Sequence, residues 1–171
     1  MLHFRKLSIT DRDWTEPFIR AENSRSADYN FGNIYMWDGA FRQHLASVDG
    51  RLLTKLRYED MPFFAFPIGS GDVKPSIEAL TEFAAHRGYS LAIRGITEEH
   101  RALLEAAYPG RFRFFEDRDC YDYVYSIEKL STFSGKKLHG KRNFCNRFEK
   151  EHSWEFKRLT PELMPWCMGM L

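Results

Sequence analysis

Cysteine is scarce in this sequence, and its spacing is unpaired: Cys120, Cys145 and Cys167 are odd in number, far apart and form no C-x-x-C. Zinc and dithiol chemistry therefore lack their ligands, and a reducing compartment fits best. A long apolar run is also missing. The longest uncharged stretch, residues 61–71, is far shorter than the ~20 residues of a membrane-crossing helix. Arg5, Lys6, Asp11, Arg12 and Asp13 leave no apolar signal segment, so the expected location is cytoplasmic. Net charge is nearly absent too. With 25 Lys and Arg against 24 Asp and Glu, the chain carries +1, so any site for a polyanion must be local. H-E-x-x-H, G-x-S-x-G and Walker patterns do not occur, and Glu98, Glu99 and His100 make no metal box. Hydrolase and nucleotidase chemistry lose their support, and no metal site is expected.

What is present fits one domain of ordinary size. Leu2, Phe4 and Lys6 read as an edge strand, and Thr10 as the cap of a helix carrying Trp14, Phe18 and Ile19. A second helix carries Phe31, Ile34, Tyr35 and the run 37–41. Strands are predicted over 44–48, 52–58 and 63–67, with Asp49-Gly50 as a hairpin turn. A helix follows Asp72, with Ile77, Leu80, Phe83 and Ala84 on one stripe and Gly88 as its stop. The run 90–94 reads as a buried strand. Thr97 caps a helix with Leu103, Leu104 and Ala107 inward. Phe112 and Phe114, then Tyr121, Tyr123 and Tyr125, alternate with polar residues as two further strands. A basic helix over 137–151 and a strand over 154–158 follow.

This order gives an α/β (α+β) class with a mixed sheet flanked by helices, the element order of acyl-CoA N-acyltransferase (GNAT-like) domains. The expected domain spans 1–159. Residues 160–171 read as the start of a linker or second domain: Thr160-Pro161 opens a helix, and Met164, Trp166, Met168, Met170 and Leu171 form an apolar surface with nothing to cover it. The chain is expected to stop partway into a larger protein, and to self-associate.

Three stretches carry a more specific likeness: Phe31-Gly32-Asn33 with Trp37; Phe66-Pro67-Ile68-Gly69 with the helix after it; and residues 121–126 followed by Gly135-Lys136-Lys137-Leu138-His139-Gly140-Lys141-Arg142-Asn143. Together they resemble the first half of the phosphatidylglycerol lysyltransferase C-terminal-domain family. The resemblance implies a GNAT-like fold and relatives that move an aminoacyl group from tRNA, with aminoacyl-tRNA or acyl-CoA as donor. It implies a second acyltransferase-like half, which this sequence lacks.

Six cations, Lys136, Lys137, Lys141, Arg142, Arg147 and Lys150, are opposed only by Glu149. Leu138, Phe144, Cys145 and Phe148 fall on one helical stripe; His139, Asn143, Asn146 and Lys150 fall on another. Guanidinium and ammonium groups beside amides suit phosphate oxygens, so tRNA or an anionic lipid head group is the expected ligand, against an ordinary solvated face. Gly69-Ser70-Gly71 sits where acyltransferase folds bind the pyrophosphate of coenzyme A. Phe66 replaces the usual basic or glutamine residue, and Asp72 adds a negative charge, which favours a plain turn. Tyr121, Tyr123 and Tyr125 are candidates for a general acid, but their alternation favours a packed sheet face. No general base stands out. The functional alternatives are an aminoacyl- or acyl-transferase domain and a non-catalytic half-domain that offers a basic surface.

Overall fold

Asp49 and Gly50 adopt left-handed backbone angles, φ 46° and 74°, which suits the tight two-residue turn predicted there. The turn joins β2 (His44–Val48) to β3 (Arg51–Tyr58) in antiparallel register, with Val48 opposite Arg51. Glu59 and Asp60 turn β3 into β4 (Met61–Ala65), with Tyr58 opposite Met61. In the computed structural model, which describes residues 2–170, these three strands form the centre of a six-stranded mixed sheet. β1 (Arg5–Lys6) lies at one edge, as expected, though shorter. β6 (Ile93–Arg94) pairs in parallel with β4 at the other edge, and β5 (Ile68–Gly69) pairs with β3. The predicted buried strand over 90–94 is reduced to β6.

α1 (Arg12–Glu22) packs Trp14, Phe18 and Ile19 against one face of the sheet, over Leu45, Leu52 and Ile68. Its opening differs from expectation. Ser8, not Thr10, caps a short 3-10 turn with a capping box to Asp11, and α1 continues from that turn. The second predicted helix is split into α2 (Phe31–Met36) and α3 (Asp38–Phe41); Phe31 and Ile34 are buried, Tyr35 and Trp37 exposed. α4 (Val73–Ala85) covers the other face. Asp72 caps it by accepting the Lys74 N–H at 3.1 Å, and Ile77, Leu80, Phe83 and Ala84 are all buried. α5 (Glu98–Ala107) is capped by Thr97 and buries Leu104; Leu103 points to solvent, contrary to expectation.

Two sets of expected strands do not form. Residues 112–117 carry no regular structure and make no ladder; the edge they would extend, β6, is only two residues long. Phe112 and Phe114 pack by their rings against the cluster containing Leu104 instead. Tyr121, Tyr123 and Tyr125 are exposed, so the packed sheet face predicted for them is not present. Residues 154–158 carry no strand either, and Trp154 and Phe156 lie in solvent.

The chain divides into two compact units, Met1–Asp122 and Tyr123–Leu171. The first holds the sheet and all three core clusters. The second is helical: α6 (Ile127–Thr132), α7 (His139–Glu151) and α8 (Met164–Met168), with a 3-10 turn before each of the last two. None of its described residues is buried; Phe133, Leu138, Arg142, Leu163 and Cys167 are the ones partly covered. Leu171, part of the predicted apolar tail, lies outside the described residues.

Candidate functional site

The glycine loop belongs to the first unit. Gly69 has φ +141°, and a Cβ there would meet the Gly50 carbonyl oxygen at 2.2 Å; a Cβ on Gly71 would meet the Asp49 oxygen at 1.7 Å. Both glycines are thus required by contact with the β2–β3 turn. The loop's polar backbone is engaged inward as well. Arg51, buried at the start of β3, donates from Nε to the Gly71 carbonyl at 2.6 Å and from Nη1 to the Pro67 carbonyl at 2.7 Å. The Gly69 N–H donates to Glu22 Oε2 at 3.1 Å. Ser70 is exposed. With Glu22 at one end and Asp72 at the other, carboxylates flank the position a phosphate would take.

Glu22 leads to a group of residues that sequence reasoning missed. It is the last residue of α1, and its Oε1 lies 2.7 Å from His100 Nε2 in the first turn of α5. His100 Nδ1 accepts the Thr97 N–H at 3.3 Å, which puts the ring proton on Nε2 and makes the contact to Glu22 a donation. The imidazole stacks on Phe66, centroids 3.8 Å apart, and Tyr29 meets it edge-on. Burial alone pushes the Glu22 carboxyl up. The hydrogen bonds from His100 and Gly69 and the charge of Arg51 outweigh it, and the group sits below its ordinary value. Burial, then the charges of Glu22 and Asp28, pushes the Tyr29 phenol up, and its hydroxyl donates to the Gly95 carbonyl at 2.7 Å. Both His100 nitrogens are engaged and the side chain is 4% exposed, so the pair fastens α1, α5 and the loop together and has no free lone pair for proton abstraction. Two sequence signals pointed here: an acid at a helix C-terminus, against the helix dipole, and a histidine at the third position of a capping box.

The predicted basic residues all fall on the second unit. Lys136 and Lys137 lie in the 3-10 turn before α7; His139, Lys141, Arg142, Asn143, Asn146 and Arg147 follow on α7 itself. His139 Nδ1 and Asn143 Nδ2 are 3.4 Å apart, as one shared face requires. Among the described residues, none of the six cations forms an ion pair. Arg142 is the exception to free exposure: its guanidinium donates to the Phe133 and Gly135 carbonyls and closes the turn leading into the helix. The apolar stripe is present but uncovered, with Phe144 60% and Phe148 50% exposed. Phe144, Phe148 and Trp154 line a shallow depression of about 590 Å³ with Arg147 and His152, and the Arg147 guanidinium lies 5.2 Å over the Phe144 ring. Of the whole unit, nine Lys and Arg face five Asp and Glu, whereas Met1–Asp122 holds sixteen against nineteen.

Among the described residues no group of His, Cys, Asp and Glu is placed to hold a metal ion, and no helix is long and apolar enough to cross a membrane. The family described as phosphatidylglycerol lysyltransferase, C-terminal, matches residues 20–171. A solved structure, described as a conserved protein of unknown function from Bacteroides thetaiotaomicron, is similar at 32% identity with a TM-score of 0.88. The likeness covers 99% of this chain and 58% of that one, so this chain spans little more than half the length of that relative. No curated protein matches.

Proposed function

The chain belongs to the phosphatidylglycerol lysyltransferase C-terminal family, and from that premise we propose that it is an aminoacyl- or acyl-transferase-type domain of GNAT-like fold whose α7 region binds a phosphate-rich partner. The observation that carries the reading is the run of six cations between positions 136 and 150, none of which forms an ion pair among the described residues, in a chain whose total charge is +1. Such a cluster favours polyanion contact through direct charge attraction and counterion release. The ligand-binding residues of this reading are Lys136, Lys137, His139, Lys141, Asn143, Asn146 and Arg147, with Arg142 shaping the turn that presents them. The partner is tRNA or an anionic lipid head group, and the donor an activated acyl group, aminoacyl-tRNA before acyl-CoA. The Gly69-Ser70-Gly71 loop takes no part in holding that donor, because Glu22 already accepts its first N–H. In this reading catalysis rests on positioning and electrostatic stabilisation at the acceptor.

A second reading has its own support. The chain spans 58% of its solved relative, and a half-domain that lends a basic surface to a partner, without transfer, accounts for the same cations. Self-association through the exposed Met164, Trp166 and Met168 belongs with this reading. The two separate on one assay. Labelled aminoacyl-tRNA is supplied with amine- or hydroxyl-bearing lipid acceptors, and label appearing in the lipid supports transfer. Salt-sensitive binding of tRNA without transfer supports the surface role.

A further inference from the structure

Lys55 lies in the middle of the sheet, opposite His44 of β2 on one side and Phe64 of β4 on the other, and His44 is in turn opposite Lys6 of β1. Directly opposed residues in antiparallel strands project from one face. Lys6, His44 and Lys55 therefore form a basic row on the face covered by α4, since Phe64 in that row is buried with Phe83 of α4. The Lys55 ammonium lies over the rings of Phe4 and Phe83, 5.6 and 5.9 Å from their centroids. Arg87, just past α4, places its guanidinium 3.6 Å over the same Phe83 ring, and its Nη1 donates to the Phe83 carbonyl at 3.4 Å. Two cations thus share one aromatic platform.

Ring faces and helix-end carbonyls attract cations without neutralising them. A carboxylate would normally complete such a cluster, yet among the described residues neither Lys55 nor Arg87 forms an ion pair. Of the acids on the adjoining segments, Asp60 is 2.5 Å from Arg57, and Glu82, in the wall of the cleft described next, lies 3.5 Å from His86. Burial, with the nearby charges of Arg87 and Arg57, holds the Lys55 amine below its ordinary value, as expected of a cation with no counter-charge. Beside the platform a cleft of about 570 Å³ runs between the N-terminal segment, β2 and α4, with Phe83 and Arg87 in its wall. That volume is within the range of small-molecule sites.

We propose that Lys55 and Arg87, flanked by Lys6 and His44, form a binding site for a phosphate group, with the adjoining cleft receiving the body of the ligand that bears it. The site lies within Met1–Asp122 and is independent of the reading given to α7. Its test uses the full chain and two probes at constant ionic strength: inorganic pyrophosphate, and vesicles of phosphatidylglycerol with phosphatidylcholine. Wild type should bind at least one probe saturably. Lys55→Met keeps an apolar stem over the rings and removes the charge, so it should weaken that binding about tenfold or more, in line with the strength of charge-assisted hydrogen bonds. Arg87→Met should act in the same direction, which guards against a folding defect in either variant. Lys55-dependent binding of pyrophosphate assigns the site to soluble phosphates, and Lys55-dependent binding of vesicles alone assigns it to a lipid head group. Binding of neither probe, or binding that both single variants leave intact, overturns the proposal.

Discussion

An acid at the carboxyl end of a helix opposes the helix dipole, and Glu22 occupies that position at the end of α1 because it receives two hydrogen bonds there, from His100 and from the Gly69 N–H. Truncating it to Ala leaves both donors without a partner and should destabilise the fold by about 2–4 kcal/mol, read by denaturant titration. The carboxyl sits below its ordinary value in the folded chain, so the unfolded state binds a proton more readily. Stability should therefore be fully present above the ordinary glutamate value, and should fall as pH drops through the lower folded one. Glu22→Gln should be less stable at neutral pH and should lose this part of the acid dependence. Gly71 makes a second residue-scale case. Its hydrogen faces the Asp49 carbonyl where a methyl would sit 1.7 Å away, so Gly71→Ala should lower stability by at least about 2 kcal/mol. A change confined to acyl-CoA affinity, with stability intact, would contradict the packing role. The glycine pair was readable in the sequence; its purpose was not. G-x-G before a helix signals close backbone approach, and only the fold reveals that the approaching group is the Asp49-Gly50 turn.

At the scale of elements, legibility followed completeness of the local signals. α4 carries its own cap in Asp72, its own buried stripe and its own stop at Gly88, where φ is +77°, so nothing distant was needed to read it. The β2–β3 hairpin was equally plain, because Asp49-Gly50 lies between two apolar runs; the strand expected over 63–67 instead runs over 61–65, since its turn takes only Glu59 and Asp60. Residues 112–126 show the converse. Their alternation satisfies the period of a strand, but a strand also needs a partner ladder, and β6 supplies only Ile93 and Arg94. α7 was placed within two residues by its charge and helical spacing, while its apolar stripe signals a burial that Phe144 and Phe148, both exposed, do not have. That exposure has a measurable consequence. Phe148→Ser should change stability by only about 0.5 kcal/mol or less, whereas Leu80→Ala in α4 should cost about 2–5 kcal/mol, both read from denaturation midpoints.

For the whole molecule, the division at Asp122 separates two kinds of chain. Met1–Asp122 holds the core clusters and a slight excess of acid, and Tyr123–Leu171 holds the cations and has no buried residue among those described. Amide exchange should reflect this: the β2 and β3 amides opposite Leu45, Leu52 and Leu53 should be protected far longer than those of α7. The cations of the second unit are what a partner would meet. The direct measurement is a titration of wild type and the double variant Lys137→Ala, Lys141→Ala against tRNA and against anionic vesicles at two salt concentrations. Wild-type binding should weaken steeply with salt, and the variant should bind more weakly with a shallower slope, since fewer counterions are released. Equal, salt-insensitive binding by both proteins would contradict this.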